Sequence, residues 1–185
     1  MSSVHDTIHA RRTVHDYADA PVPEAVVTRA LEAAHAAPCH KLTWPWRFTT
    51  VGPAAREDLY ALNLRLKSAK VPLDARQAGR LREKMANPAV LIVVSQVLSD
   101  DPARRTEDYA ATACAIQNLC LSLAADGFGS KWGTGGIIRH PETYARLAID
   151  PAVEEIVGFL WIGVPARPHP APLRPPLSSV TRSVD

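Results

Sequence analysis

Two adjacent arginines followed by a hydroxyl residue, Arg11, Arg12 and Thr13, form the first group whose types and spacing could do chemistry. A guanidinium presents a planar fork of N–H donors, so two of them beside a hydroxyl suit a phosphate or another oxyanion. The same pair could equally be the solvated basic end of a helix, where cations interact favourably with the helix dipole. The residue types alone leave both interpretations open.

A second polar group lies in the stretch APCHKLTWPWRF, at Cys39 and His40. A zinc site is not predicted there, because no second close pair of ligands accompanies them. A nucleophilic couple is not predicted either, since adjacent residues rarely face each other productively. We therefore expect no metal site and name no catalytic residue, and a histidine here is by itself most simply a surface or core residue.

Three aromatic residues alternate in the same stretch, at Trp44, Trp46 and Phe48. Alternate residues entering a strand share a face, which predicts burial in a core. The same three rings could instead form the wall of a site for a flat aromatic ligand. Composition does not decide between these alternatives.

Glycines are concentrated in GFGSKWGTGG, residues 127–136. No strand is predicted before this stretch, so it is neither a dinucleotide fingerprint nor a phosphate-binding P-loop. Gly127 is the expected C-cap of the preceding helix. We expect Gly129–Trp132 to turn into Gly133–Gly136, a loop whose backbone can approach a ligand closely. No serine stands in a GxSxG setting, which argues against a hydrolase.

Composition is that of an ordinary globular protein, with 46% hydrophobic and 22% charged residues among 185. We expect one domain, residues 1–185. The net charge of +2 and the scattered arginines do not indicate a nucleic-acid partner.

No apolar run reaches the roughly 18 residues of a membrane span, and the N-terminus lacks the apolar region of a signal peptide. The three cysteines form no CxxC pair, and their odd number argues against a disulfide scaffold and fits a reducing cytoplasm.

Periodicity predicts helices and strands in an irregular order. The predicted helices are Val4–Arg12, Pro23–Pro38, Ala54–Lys70, Ala75–Met85, Thr106–Asp126 and His140–Ala148, and the predicted strands are Arg47–Val51, Val90–Val97 and Ile156–Val164. Helices and strands mixed without a regular βαβ repeat indicate an α+β fold, with helices around one small sheet.

Three segments raise questions beyond their secondary structure. The helix Thr106–Asp126 is apolar nearly all round, which predicts a central position or an oligomer interface. Residues 71–87 are basic and punctuated by proline, and they are either a solvated surface segment or a mobile cover over a site. The proline-rich tail from Pro165 is expected to lie extended along a surface, such as that of another subunit.

Taken together, these features resemble the FMN-dependent nitroreductase family. The resemblance rests on HARRTVHDY at the end of the first helix, the proline-initiated second helix, Pro-Trp-Arg-Phe at residues 45–48, and Ile-Gln-Asn at residues 116–118. Gly-Phe-Gly-Ser-x-Trp at residues 127–132 and the closing strand complete it, in an order that covers nearly the whole chain. The turn Ala-Pro-x-His-Lys at residues 37–41 points to the compact YdjA-type branch.

The resemblance implies a nitroreductase-like α+β fold with a small, mostly antiparallel sheet surrounded by helices. It also implies a homodimer with FMN bound at the subunit interface. One subunit would contribute the Arg11 group, and the other would contribute His40. The cofactor-binding residues that it implies are Arg11, Arg12, Thr13, His40, Trp132, Gly133, Thr134 and Arg174.

Three positions depart from the family pattern. Trp44 stands before Pro45 where many members have a hydrogen-bonding residue, so flavin electronics or substrate access differ. His15 replaces a lysine or arginine, which weakens a phosphate contact or makes it depend on pH. Ala36 replaces an arginine found in YdjA-type chains.

The activity implied by the resemblance is the transfer of electrons from NAD(P)H to a small-molecule acceptor. FMN would accept a hydride from NAD(P)H, and a nitroaromatic, a quinone or a similar molecule would then take the electrons. Two alternatives remain from the sequence. One is a flavin-binding protein for storage or sensing without turnover, and the other is a structural dimer with an empty pocket.

Overall fold

A four-stranded antiparallel sheet forms the centre of the computed structural model, which describes residues 3–184. Its strands are β1 (Trp46–Thr50), β2 (Val90–Val97), β3 (Gly129–Gly133) and β4 (Glu154–Gly163). Their spatial order is β1-β2-β4-β3, so the two most apolar strands are central and the other two are edges. The predicted fold class, a small antiparallel sheet among helices, is confirmed.

The helices begin and end at the residues that favour helix termini. They are α1 (Val4–Ala10), α2 (Glu24–His35), α3 (Pro53–Ser68), α4 (Ala75–Ala86), α5 (Pro102–Ala125) and α6 (Pro141–Leu147). Proline opens α3, α5 and α6, where its missing N–H is not needed. After α5 the chain turns at Gly127, whose φ of 83° suits glycine.

Helices cover both faces of the sheet, which creates two cores. On one face, Ile92, Val94, Leu160 and Ile162 pack against α2 and α5. On the other face, the alternate strand residues pack against α3, α4 and α6; these are Leu91, Val93, Phe159 and Trp161. This alternation follows from the two-residue period of a strand, and it explains why β2 and β4 are apolar nearly throughout.

The glycine-rich stretch contains an edge strand that the sequence did not predict. Gly129–Gly133 forms the edge strand β3, in which Trp132 lies opposite Leu160 of β4. A glycine in the neighbouring strand gives β3 its space, because a Cβ added at Gly158 of β4 would lie 2.1 Å from the Trp132 Nε1 atom. The small residue in β4 therefore makes the room that the indole of β3 needs.

The long helix α5 is buried on one face only. Eight of its residues are buried against the sheet and α2. Its other face exposes Tyr109, Ala110 and Cys114 in the single chain. The sequence predicted either a central position or an oligomer interface for this helix. In the described chain, one face of α5 is central and buried, and the other face carries exposed apolar residues. Within residues 3–184 no helix, α5 included, has the length and apolarity to cross a membrane.

We expect Gly158→Ala to destabilise the fold, because the new methyl group would collide with Trp132 and the edge strand would have to move. Overpacking of this kind costs about 1–3 kcal/mol. Gly79→Ala is the matched control. Gly79 lies inside α4 with open space around its Cα, so alanine should stabilise the chain by about 0.5–1 kcal/mol. Urea unfolding measures both, and equal midpoints for Gly158→Ala and wild type would contradict the packing described here.

Candidate functional site

The two arginines lie between the first helix and the edge of the sheet. Helix α1 is fixed at its start by a capping box between Ser3 and Asp6, and it ends at Ala10. The chain then becomes extended, and Thr13 forms a parallel bridge with Ser130 of β3. The sequence thus places Arg11 and Arg12 directly beside the edge strand.

Both guanidinium groups keep unused donors. One Nη atom of Arg12 donates to the carbonyls of His9 and Arg11, but its Nε is buried without any hydrogen-bond partner. The side chain of Arg11 forms no hydrogen bond or ion pair within residues 3–184. A buried N–H without a partner carries a desolvation cost that a bound oxyanion would offset.

A cavity of about 290 Å³, here called the Arg11 cavity, opens beside these groups. It lies between α1, the C-terminal end of α5, the start of β3 and the tail. The side chains that line it include Asp6, Arg11, Arg12, Cys120, Phe128, Ser130, Arg167 and His169. The carboxylate of Asp6 is occupied by the helix cap, which lowers its pKa, and Arg167 is paired with Asp16. The cavity therefore suits an anionic ligand with an apolar portion.

The beginning of the tail is held along the N-terminal segment. Tyr17 forms an antiparallel bridge with Pro165, and the N–H of Ala166 donates to the carbonyl of Asp16 over 3.0 Å. The N–H of His15 donates to the Nε2 atom of His169 over 3.5 Å. These contacts bring His169 to the wall of the Arg11 cavity. The sequence did not indicate this role for residues 165–169.

The turn before β1 has a strained backbone. Lys41, Leu42 and Trp44 have φ values of 53°, 54° and 42°, which non-glycine residues rarely adopt. The Thr43 hydroxyl donates to the buried carboxylate of Asp108 on α5 over 2.7 Å. The Cys39 sulfur lies 3.0 Å from the Thr43 hydroxyl oxygen and accepts the Trp44 N–H over 3.1 Å. This network stabilises a conformation that would otherwise be unfavourable.

The turn directs two side chains outward. His40 lies in a short 3₁₀ segment with its Nε2 atom 4.0 Å from a carboxylate oxygen of Glu107. Trp44 is 48% exposed, whereas Trp46 is buried, so the prediction that the three aromatic residues share a face was wrong for Trp44. The reason is the positive φ at Trp44, because β1 begins only at Trp46.

His40 and the Arg11 cavity lie at different ends of α5. His40 is next to Glu107, while the cavity is lined by Cys120, thirteen residues further along the helix. At a rise of about 1.5 Å per residue, this separation is roughly 20 Å. A single chain therefore does not bring His40 into the cavity that Arg11 and Arg12 line.

The remaining predicted residues lie at the exposed end of β3 and in the tail. Trp132 is partly buried, and its indole N–H donates to the carbonyl of Val157 over 3.3 Å. Gly133 ends the strand opposite Phe159, and Thr134 follows it in an exposed position. Arg174 is exposed in the extended tail without a contact inside residues 3–184, so its role stays a prediction. The described residues contain no cluster of three or more potential metal ligands.

Asp108 is the residue of this region that the sequence interpretation missed. Asp108 lies at a position of α5 that the helical period places on the buried face. It is four residues before Thr112 and eight before Ile116, and both of these are buried. A carboxylate at a core position needs a partner, and that requirement was the signal that could have revealed it. Its partners are Thr43 and Arg104, whose Nε atom lies 3.6 Å from the carboxylate.

Comparison with known proteins decides the family. The sequence profile of the Nitroreductase family matches residues 8–164. The chain belongs to the nitroreductase family. Its relative YfhC from Bacillus subtilis, which carries the name of an NAD(P)H nitroreductase, is 31% identical over 169 residues, covering 89% of this chain and 85% of YfhC.

Solved structures of nitroreductase-like proteins share the fold over the full chain. A nitroreductase-like family protein from Bacillus cereus superposes with a TM-score of 0.87 at 26% identity, covering 100% of this chain and 97% of the other. A nitroreductase with bound FMN from Bacteroides fragilis has a TM-score of 0.74 at 26% identity, with 100% of both chains covered. The family, the fold and the class of enzyme expected from the sequence are confirmed.

We expect Thr43→Val to loosen the strained turn of this nitroreductase, because valine keeps the shape of threonine but cannot donate to Asp108. Leaving a buried carboxylate without that donor costs about 1–3 kcal/mol. Hydrogen–deuterium exchange should show faster exchange across residues 39–46. Thr49→Val in β1 is the control, since the Thr49 hydroxyl makes no hydrogen bond within the described chain. Unchanged exchange in Thr43→Val would show that the turn does not depend on Asp108.

Proposed function

We propose that this protein is an FMN-dependent oxidoreductase that passes electrons from NAD(P)H to a nitroaromatic, a quinone or a similar small acceptor. Residues 1–185 would form one FMN-binding domain. The proposal places the enzyme in the cytoplasm, where the three free cysteines would stay reduced.

The observation that carries the proposal is the unpartnered pair of guanidinium groups at the Arg11 cavity. The buried Nε of Arg12 and the free side chain of Arg11 have no acid to neutralise them within the described residues. A phosphate group would satisfy both through charge-assisted hydrogen bonds. The residues present therefore fit the phosphate end of FMN, with Thr13 as a further donor and Arg174 as a partner from the tail.

The free edge of β3 is a suitable place for the polar side of the flavin ring. Thr13 covers only the start of this edge, at Ser130, and the outer edge at Trp132–Thr134 pairs with no described strand. Unpaired backbone N–H groups on a strand edge are ready donors for a polar ring atom. When bound, FMN would supply the redox chemistry, while the chain orients it and controls access to it.

A homodimer would complete the site. In one chain His40 lies roughly 20 Å along α5 from the Arg11 cavity, by the helix rise. The exposed apolar face of α5, with Tyr109, Ala110 and Cys114, is suited to a second copy of the chain. In such a dimer, His40 of the partner subunit would reach the flavin whose phosphate Arg11 holds.

Turnover distinguishes the enzyme from a flavin-storage or flavin-sensing protein. We expect the flavin-loaded protein to oxidise NADH or NADPH continuously when a quinone is supplied, since the proposed acceptors leave the site after reduction. Loss of nicotinamide absorbance at 340 nm under anaerobic conditions measures this. A protein that retains FMN yet shows no sustained oxidation with quinones or nitroaromatics would favour storage or sensing.

We expect Arg11→Ala to weaken FMN retention about tenfold or more, because a charge-assisted contact to the phosphate is lost. The thermal midpoint of the flavin-free protein should change little, since the Arg11 side chain makes no described contact. FMN per subunit after dialysis at matched protein concentration gives the result. Arg139→Ala is the matched control, because Arg139 is also basic and exposed but lies away from the cavity. Equal occupancy in Arg11→Ala and wild type would contradict the role of Arg11.

We expect Ala110→Lys to separate the dimer, because a charge on the exposed face of α5 would be buried against the partner. FMN occupancy should fall with it, since His40 of the partner subunit would be removed. Light scattering after size exclusion gives the mass. Ala145→Lys on the exposed side of α6 should remain dimeric and yellow. A dimeric Ala110→Lys would place the interface elsewhere.

A further inference from the structure

A lysine lies on the face of β3 that is turned toward the second core. Because side chains alternate along a strand, Ser130 and Trp132 point to one face of β3 and Lys131 points to the other. In the register of the sheet Lys131 lies opposite Trp161 of β4, so the two side chains are neighbours on one face. The Lys131 side chain is half-buried there, and its ammonium makes no hydrogen bond or ion pair within residues 3–184.

The indole of Trp161 has a free donor beside this lysine. Trp161 is 8% exposed, and its ring packs edge-on against Phe159 with the two centroids 6.0 Å apart. Its Nε1–H donates no hydrogen bond within the described residues, although a buried indole N–H usually has a partner. A Cβ added at Gly133 would lie 3.6 Å from this Nε1 atom. The N–H therefore borders the space that Gly133, two residues after Lys131, leaves open on the same face.

The charges around Lys131 favour an electron-rich ligand. Burial lowers the pKa of Lys131 first, and the neighbouring charges of Lys84 and Lys67 lower it further. The pKa of His15 is also lowered, first by burial and then by Lys131, while Asp16 acts in the opposite direction. His15 is therefore largely uncharged near neutral pH, whereas a lysine, with its much higher ordinary pKa, keeps its charge. A negative charge bound beside Lys131 would offset the cost of its burial and its repulsion by the other lysines.

These two donors lie next to the edge at which the flavin ring is proposed to bind. Lys131 directly precedes Trp132–Thr134, whose outer edge pairs with no described strand. The phosphate of FMN is proposed to bind in the Arg11 cavity, which neither Lys131 nor Trp161 lines. The donor pair therefore belongs to the ring part of the same cofactor site rather than to a separate site.

We propose that Lys131, assisted by the Trp161 Nε1–H, contacts the pyrimidine edge of the flavin ring and raises the reduction potential of bound FMN. This inference rests on the proposed function. The pyrimidine edge has two carbonyl oxygens and a ring nitrogen that accept hydrogen bonds. When NAD(P)H is oxidised to NAD(P)+, its hydride supplies both electrons and one hydrogen, and the ring acquires one negative charge. An ammonium and an N–H donor at that edge stabilise the reduced form more than the oxidised form.

The reduction potential of the flavin-loaded protein, measured by slow anaerobic reduction alongside a reference dye, tests this without turnover. We expect Lys131→Met to lower the ratio of the affinities for reduced and oxidised FMN about tenfold, because one charge-assisted contact is lost. For a two-electron couple this ratio corresponds to about 30 mV. Lys131→Arg keeps the charge and should keep most of the potential. Lys70→Met, which removes the same charge from an exposed residue after α3, should leave the potential unchanged.

Trp161→Phe examines the second donor. Phenylalanine keeps an aromatic ring beside Phe159 but has no N–H. The potential should therefore fall, by less than in Lys131→Met, because a hydrogen bond from a neutral donor is weaker than one from an ammonium. An unchanged potential in folded Trp161→Phe would overturn the role of the indole. If this variant does not fold, the Lys131 variants decide the proposal.

Protein loaded with riboflavin separates the ring from the phosphate. The lowered potential of Lys131→Met is expected with riboflavin as with FMN, because riboflavin has the same ring and no phosphate. A shift with FMN but not with riboflavin would overturn the proposal, since Lys131 would then serve the phosphate. So would a potential equal to that of the wild type in FMN-loaded Lys131→Met. A wild type that holds no FMN would contradict the proposed function itself, and the inference with it.

Discussion

The close approach of Val14 to Gly129 is the constraint on which the candidate site depends. A Cβ added at Gly129 would lie 2.5 Å from a methyl carbon of Val14, so only glycine lets the N-terminal segment reach the edge of the sheet. The N–H of Val14 then donates to the carbonyl of Ser130 over 3.0 Å. This contact fixes Arg11 and Arg12 on one side and the free end of β3 on the other. The anion-binding groups and the candidate ring-binding edge therefore share one rigid element.

The basic residues of the chain divide into those with protein partners and those without. Arg29, Arg82 and Arg146 pair with Asp126, Glu57 and Asp58 respectively. Exposed pairs of this kind contribute little to stability, about 0–1 kcal/mol each. Arg56 is used structurally in another way, because it donates to the carbonyls of Met85, Ala86, Pro88 and Ala89 at the end of α4. These hydrogen bonds hold the C-terminal end of α4 and the segment that leads into β2.

Some cations have no protein partner within residues 3–184, and Arg11 and the Nε of Arg12 are two such groups that line a cavity. A folded chain gains nothing from holding like charges near one another, so such groups are candidates for ligand binding rather than for stability.

The sequence predicted the elements whose residue pattern is set by burial alone. β2 and β4 are long apolar runs, and α3, α4 and α6 carry clear start and stop signals, so local chemistry was sufficient. The start of α5 was predicted at Thr106, which was wrong, because the helix begins four residues earlier at Pro102 after its N-cap Asp101. β3 was missed because Gly129 responds to a close contact with Val14, and Trp132 needs the space left by Gly158 of β4, both of which are distant in sequence. Trp44 was misplaced because its backbone conformation depends on the anchor at Asp108. The grouping of the site residues came from family resemblance, since neither spacing nor composition brings residues 11–13 and 132–134 together.

The measurement that tests the central claim most directly is an absorption spectrum of the freshly purified protein, followed by acid release and identification of any pigment. The account predicts a yellow protein that releases FMN at about one molecule per subunit, held by the Arg11 cavity. A colourless protein that remains colourless after incubation with FMN would contradict it. The unpartnered arginines would then need another ligand, and the chain would be a family member without its flavin.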